Sequence, residues 1–384
     1  MHQLHRILNT LPVKAYEVYM SRVVVGLSGG VDSATAAYLL QKEGYDVIGM
    51  TMQICRDVRT PWELDEIAQA KSVADSLGIP QVLEDFRAAF ARDVEDHFAA
   101  EYFAGRTPNP CIICNRMIKW KALIKCADEN DAEYIATGHY ARVVRLPNGR
   151  YAVARSAGGK KDQSYVLFML TQEMLARTLF PAGEHEKPDI RRIAGDAALP
   201  AADTPDSQDI CFVSGHDYAG YLAERAPERM PGEGDYISAS DGRIIGRHRG
   251  YLHYTIGQTR RLGVAVGHPL YVSEIRPGTN EVILSDEDVY SSVLSCSGLN
   301  FMGLSPAELP VGASFRATGK IRYAHAGAPC TVTRTGEDEL KAVFDEPVRA
   351  VTPGQAAVFY DEGGAILAGG WICANQQSRM RMTQ

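Results

Sequence analysis

Three short segments hold most of the chemistry available to this chain. The first is Val23 to Ser33, VVVGLSGGVDS, where a β-branched run leads into Ser-Gly-Gly-x-Asp-Ser and then the helical pattern ATAAYLLQKEG. Gly29 and Gly30 have no Cβ, so the backbone can turn tightly against an anion. Ser28, Ser33 and the first free N–H groups of the helix can donate to phosphate oxygens. Hydroxyl, glycine, carboxylate and hydroxyl at a strand-to-helix junction predict a cradle for a phosphate chain, not an ordinary glycine turn. The second segment, GRTPNPCIICNRMIK at 105–119, sets Cys111 and Cys114 in a CxxC on a proline-stiffened loop that opens the basic helix IKWKALIK. The third, DSQDICF at 206–212, offers Cys211 at the end of a polar turn. In a reducing compartment a CxxC serves as redox pair, metal or cluster ligand, or sulfur carrier. A structural zinc site would show a second CxxC or a paired histidine motif, and the sequence has neither.

The elements that must hold these residues follow from the patterning. From Ser21 to about Ala141, strand and helix patterns alternate: VVVGL, a helix, VIGMTMQI, the helix PWELDEIAQAKSVADSLG closed by Gly78, QVLEDF, and later EYIATGHYA. Such alternation predicts an α/β, doubly wound parallel sheet with ligands at the carboxyl ends of its strands. After about Gly215 the texture changes to short alternating segments such as YISASDGRIIGRHRG, PLYVSEIRPGTNEVILS, CTVTRT and AAVFYDEGGAILAGGWI, separated by Gly, Pro, Asn and Asp turns. These predict a small antiparallel barrel or sandwich. The expected division is an N-terminal extension at 1–20, the α/β domain at 21–214, a small central domain at 215–286 and an antiparallel β-barrel at 287–384.

With 384 residues, 45% of them hydrophobic, the chain can bury the cores of two or three domains. No apolar run approaches about 18 residues, which argues against a membrane span. The first twenty residues lack the apolar core and cleavage site of a secretory signal, so Met20 reads as the native start. Eight cysteines without a signal suit a reducing cytoplasm, and Cys55, Cys126, Cys296, Cys330 and Cys373 read as inert core or surface residues. A formal charge of −7 gives no bulk attraction to nucleic acid, but it leaves room for a local basic face.

The glycine loop resembles the signature of the PP-loop ATP pyrophosphatases, which cleave ATP between its α- and β-phosphates and activate a carbonyl oxygen as its adenylate. GxxxxGK[ST] and GxGxxG are both absent, which disfavours phosphoryl transfer of the P-loop kind and dinucleotide binding. Taken in order, GLSGGVDS, GRTPNPC..CN, ATGHYAR, KDQSYVL, DSQDICF, G.H.GY..YTIGQ, KIRYAH and TPGQAAVFY resemble the bacterial tRNA-uridine 2-sulfurtransferases, or tRNA 2-thiouridylases, from about Ser21 to Ile372. The resemblance implies a PP-loop domain, a small central domain and a C-terminal β-barrel. It also implies an ATP- and Mg²⁺-dependent enzyme that replaces the C2 oxygen of the wobble uridine with sulfur in tRNAs for Glu, Gln and Lys.

Residue by residue, the resemblance implies that Gly26, Leu27, Ser28, Gly29, Gly30, Val31, Asp32 and Ser33 hold the triphosphate, with Met52 and Gly138 touching the nucleotide. Cys211 matches the residue that receives sulfur as a persulfide, and Cys114 its partner, which attacks the persulfide or releases hydrosulfide. Both must react as thiolates, so a pKa depressed by neighbouring cations or a helix N-terminus is expected, with Lys119 and Arg116 the candidate neighbours. Cys111 stands where several relatives carry Asp, so Cys111, Cys114 and Cys211 could instead coordinate an iron-sulfur cluster with one open iron. The persulfide route is placed ahead of the cluster. Asn109, Pro110 and Cys111 match the loop around the target base, Lys161, Asp162 and Gln163 a tRNA-contacting segment, and Arg322 with Tyr323 a barrel contact. Basic residues interleaved with aromatics suit phosphate contact beside stacking on an unpaired base. His139 reads as a hydrogen-bonded histidine near the nucleotide.

A cysteine desulfurase or a sulfur-carrier protein is implied as donor, with no membrane partner. Three rival readings differ in what they require. A 2-thiocytidine type of tRNA thiolase would lack DSQDICF and the β-rich half. A PP-loop amide ligase would need an N-terminal nucleophile or a glutaminase module. A pure nucleotide or tRNA binding module would not need the CxxC together with Cys211.

Overall fold

Three consecutive valines show why the first sheet is covered on both faces. The computed structural model describes residues 21–54, 61–159, 161–205, 210–213, 215, 217–264 and 267–374. Residues 1–20, Cys55, Lys160 and positions 206–209 of DSQDICF lie outside the described residues. The chain begins β1 (Arg22–Gly26), α1 (Val31–Lys42), β2 (Asp46–Gln53), α2 (Pro61–Leu77) and β3 (Gln81–Asp85). Helical stretches at 87–103 and 110–129 follow, then β4 (Tyr134–Ala136). Val24 faces an apolar layer with Trp120, Leu123 and Ile135, whereas Val23 and Val25 face another with Leu40, Val73 and Ile190. A strand apolar on both of its alternating sides belongs inside a parallel sheet.

EYIATGHYA was expected as one strand, but β4 stops at Ala136. The chain resumes as β5 (Ala141–Arg145), which pairs in a separate hairpin with β6 (Tyr151–Arg155). The interruption carries Gly138 across the first turn of α1. With β7 (Thr178–Leu179), the sheet order is β3-β2-β1-β4-β7, all parallel. The order reverses between β1 and β4, which opens a crevice at the carboxyl ends of the two strands.

The central sheet comprises β8 (Gly234–Ser238), β9 (Ile244–His248), β10 (Tyr271–Arg276) and β11 (Glu281–Ser285), in the order β10-β11-β8-β9. One pair departs from the antiparallel expectation, since β8 and β11 run parallel. The long stretch between β9 and β10 packs Tyr251 and Tyr254 into the core and gives the chain room to return in the same direction.

The last six strands are β12 (Tyr290–Phe301), β13 (Ser314–Lys320), β14 (Ala328–Gly336), β15 (Glu339–Arg349), β16 (Ala356–Tyr360) and β17 (Ile366–Ile372). They form a closed antiparallel barrel in the order β12-β15-β14-β13-β16-β17. Phe359 fills the barrel, while Val358 and Tyr360 on the other side of β16 join the core of the first domain with Tyr165 and Phe168. The barrel is thereby cemented onto the α/β domain. Cys126, Cys296 and Cys330 are buried and Cys373 half-buried, all as free thiols. Among the described residues, no helix is long and apolar enough to cross a membrane.

Candidate functional site

The glycine loop is shaped from within. The Ser33 hydroxyl donates to the Gly30 carbonyl at 3.0 Å, accepts from the Ser28 N–H at 3.2 Å and lies 3.2 Å from Ser28 Oγ. Gly29 has φ +80°, where L side chains are strained, and a Cβ there would come within 2.8 Å of the Glu66 carbonyl oxygen. Gly138 has no room for a side chain either, because its Cβ would lie 2.6 Å from the Asp32 carbonyl carbon and 2.7 Å from the Ser33 nitrogen. Gly26 to Ser33, Met52 and Gly138 thus come from the ends of the adjacent strands β1, β2 and β4, where a parallel sheet binds ligands. The sequence reading missed Lys187 and Tyr140. Lys187 Nζ lies 2.7 Å and 2.9 Å from the two Asp32 carboxylate oxygens, and Tyr140 donates to Oδ1 at 2.6 Å. Tyr140 lies within ATGHYAR, but nothing in that run marks its hydroxyl as a partner of Asp32, and Lys187 stands in none of the quoted motifs.

The CxxC helix packs beside β2, where Met52 lies against the Cys114 cluster. Pro110–Cys114 opens as an α-helix with Pro at its start, and Asn115–Lys119 continues as a wider π-turn, in which the Trp120 N–H reaches back to the Asn115 carbonyl. In an unbroken α-helix, a step of five residues would turn Lys119 about 140° away from Cys114. The π-turn overrides that drift, a device common at functional sites. Cys114 is buried in an apolar cluster with Phe90, Val94 and Ile118, against which Met52 and Phe212 pack. Met52 ends the strand beside the nucleotide loop, and Phe212 follows Cys211. Cys111 and Cys211 are exposed.

Lys119 unites the three sulfurs electrostatically. Burial works against its ammonium, yet Cys114, Cys111 and Cys211 together raise its pKa. Burial pushes the Cys114 thiol up to about 11, with Lys119 pulling the other way. Cys111 is raised by the protein packed around its sulfur, although the residue is exposed, and Lys119 opposes that shift too. The lowered thiol pKa expected from neighbouring cations is thus not found at Cys114 or Cys111, where burial outweighs Lys119, and Arg116 donates instead to Met174 Sδ at 3.4 Å. Burial and then Lys119 hold His139 down to about 3, so its ring is neutral at physiological pH, with Nδ1 2.8 Å from Thr137 Oγ1. This matches the reading of His139 as a hydrogen-bonded residue.

The segments assigned to RNA converge on the same helix start. Tyr323 is 43% exposed, and the charges of Asp162, Lys161 and Cys111 reach its phenol, which burial already raises. Gln163 is locked to Tyr140: its N–H donates to the Tyr140 carbonyl at 2.8 Å, and its Oε1 accepts from the Tyr140 N–H at 2.9 Å. Arg322 donates to the Arg349 carbonyl at 2.8 Å. Lys161 and Tyr323 are exposed, while Asp162, Gln163 and Arg322 are bonded inward. Asn109 precedes the helix that carries Cys111, in extended backbone and without a side-chain capping bond. The loop before it is clamped by the barrel, with Thr107 N–H donating to the Pro353 carbonyl at 2.9 Å and Gln355 Nε2 to the Thr107 carbonyl at 2.8 Å.

Among the described residues, no three Cys, His, Asp or Glu side chains converge as a ready metal site. The three thiols as placed do not fit a cluster. Asp32 is the carboxylate beside the phosphate loop, but Lys187 and Tyr140 already hold its oxygens, so Mg²⁺ there would rest chiefly on substrate phosphates and water.

Family models match all three parts of the chain. "tRNA methyl transferase HUP domain" covers residues 21–215, "tRNA methyl transferase PRC-barrel domain" 219–286 and "Aminomethyltransferase beta-barrel domain" 292–372. Fold and site define a three-domain protein of this class, built on a HUP-type parallel sheet. The chain is 46% identical over 362 residues to the tRNA-specific 2-thiouridylase MnmA of Lachnoclostridium phytofermentans, covering 92% of this chain and 99% of that protein. It is also 46% identical over 361 residues to the protein of the same name from Carboxydothermus hydrogenoformans, covering 91% and 97%. The chain belongs to the tRNA-specific 2-thiouridylase family.

Proposed function

We propose that this protein replaces the C2 oxygen of the wobble uridine with sulfur in the anticodons of tRNAs for Glu, Gln and Lys, at the expense of ATP. The observation that carries this reading is that β2, whose Met52 lies beside the strand ends that hold the phosphate-binding loop, also packs against the buried Cys114 cluster, with Lys119 under the charge of Cys114, Cys111 and Cys211. A pyrimidine carbonyl oxygen is a poor leaving group. In the first step it attacks the α-phosphorus of ATP, the bond to pyrophosphate breaks, and the uridine O-adenylate forms. Ser28, Ser33 and the backbone of Gly29 and Gly30 hold the phosphates. Mg²⁺, held chiefly by the substrate phosphates and water, would neutralise charge on the departing pyrophosphate.

Sulfur then displaces AMP. The terminal sulfur of a Cys211 persulfide attacks C2, and the C–O bond to AMP breaks. Cys114 as thiolate attacks the Cys211 sulfur, the S–S bond breaks, and the sulfur stays on C2 as the thiocarbonyl. The Cys114–Cys211 disulfide left behind is returned to thiols by a dithiol reductant. Lys119 supplies the positive charge that favours each sulfur anion as it forms, and burial keeps Cys114 protonated between turnovers. A cysteine desulfurase or a sulfur-carrier protein reloads Cys211 in the reducing cytoplasm. Cys111, in place of a carboxylate, is a third thiol at the rim, and the iron-sulfur alternative would require these sulfurs to converge. The functional division is taken as 21–214, 215–286 and 287–384, and Lys161 and Tyr323 are the exposed RNA contacts.

Adenylation separates this reading from a binding module. Pyrophosphate should leave ATP only when unmodified tRNA is present, followed by colorimetric or radiometric release assays. Release that ignores tRNA, or no release at all, would sink the proposal.

A further inference from the structure

Asp162 lies in the segment matched to tRNA contact, yet its carboxylate faces inward. Its side chain is only 9% exposed, and that of Lys320 only 8%. Asp162 Oδ1 accepts from the Ser156 N–H at 3.3 Å and the Ser164 N–H at 3.1 Å, and Oδ2 accepts from the Ser164 hydroxyl at 2.9 Å. Lys320 Nζ lies 3.7 Å from Oδ2. Ser164 Oγ is also 3.0 Å from the Tyr360 hydroxyl, and the Arg155 guanidinium stacks 4.7 Å over the Tyr360 ring. Lys320 ends β13 and Tyr360 ends β16, so this cluster joins the first domain to two barrel strands.

Two features point to a positioning role. A carboxylate with four inward partners has little left to offer RNA, whose phosphates would repel it. Asp162 and Arg155 act in opposite senses on the buried Lys320 ammonium, so removing the carboxylate would leave that charge uncompensated. The pair is also well placed for such a role, since Lys161 precedes Asp162 directly and Arg322 and Tyr323 follow Lys320 within three residues.

We propose that Asp162 and Lys320 form an interdomain positioning pair that touches no RNA and fixes Lys161 and Tyr323 at the spacing needed to hold a phosphate and a stacked base beside Cys111. This rests on the tRNA reading above.

The test is tRNA binding across a salt series for the full-length protein and its variants. Each lost phosphate contact lowers the slope of log affinity against log salt by about one. Lys161→Ala should lower the slope in this way. Asp162→Asn and Lys320→Met should instead weaken binding by about tenfold or more at the parent slope, because they displace contacts without removing one. The double variant should lose less than the product of the two single losses. A slope lowered by about one in Lys320→Met would make Lys320 a phosphate contact and overturn the proposal, as would parent affinity in Asp162→Asn. ATP affinity reports that each variant is folded. If Asp162→Asn does not fold, Lys320→Met decides, since Asp162 then keeps its three donors. Hydrogen exchange at 156–164 and 320–325 should rise in both variants, and unchanged exchange would also overturn the pair. That readout needs no RNA, so a parent chain that fails to bind tRNA would refute the functional reading without deciding this one.

Discussion

Cys114→Ser and Cys211→Ser should each lower tRNA thiolation by about 10³-fold or more while ATP affinity stays at the parent value. The proposed transfer requires one sulfur to carry the persulfide and another to cleave it. A serine hydroxyl can do neither at neutral pH, because it is far more weakly acidic than a thiol and cannot form the S–S bond. ATP affinity should hold because the hydrogen bonds that shape the phosphate loop run among Ser28, Gly30 and Ser33 and involve neither cysteine. Cys114 is buried, so its serine variant needs a melting curve beside the assay, whereas exposed Cys211 does not carry that cost. Full thiolation by either variant would remove that residue from the chemistry.

Gly138→Ala should weaken ATP binding by about tenfold or more. Its methyl would have to occupy space 2.6 Å to 2.8 Å from the backbone of Asp32 and Ser33, with no flexible side chain to give way. Either α1 shifts at its first turn or the loop after β4 moves out. Overpacking of this kind costs about 1–3 kcal/mol, and about 1.4 kcal/mol is a tenfold change in affinity. Calorimetric titration with a non-hydrolysable ATP analogue measures the effect directly. Parent affinity would mean that the strand end at Gly138 is not part of the nucleotide site.

The two predictions rest on features of different legibility in the sequence. The β1 junction could be read because strand, glycines and hydroxyls are contiguous, and the sheet could be read because parallel strands buried on both faces are runs of valine and isoleucine. That Cys114 and Cys211 both act on Lys119 could be expected only through resemblance, since no local pattern relates positions 97 residues apart. The π-turn could not be read, because NRMIK has ordinary helical spacing and the extra width comes from tertiary packing. Lys187 beside Asp32 was invisible for a similar reason: a lysine at the start of a helix most often faces solvent. EYIATGHYA misled because its apolar pattern suits one strand, and the steric demand that ends it at Ala136 comes from α1. The parallel pairing of β8 with β11 was hidden because alternation fixes the face of a residue and not the direction of its neighbour.

Central to the proposed transfer is that these thiols deliver sulfur without a metal. Nucleoside mass spectrometry should be run on unmodified tRNA-Glu incubated anaerobically with ATP, Mg²⁺, a persulfide-generating desulfurase and rigorously iron-stripped protein, beside a cluster-reconstituted sample. Thiouridine at the wobble position from the iron-free protein is the result predicted. Thiouridine from the reconstituted sample alone would contradict the persulfide route, and none from either would contradict the substrate assignment.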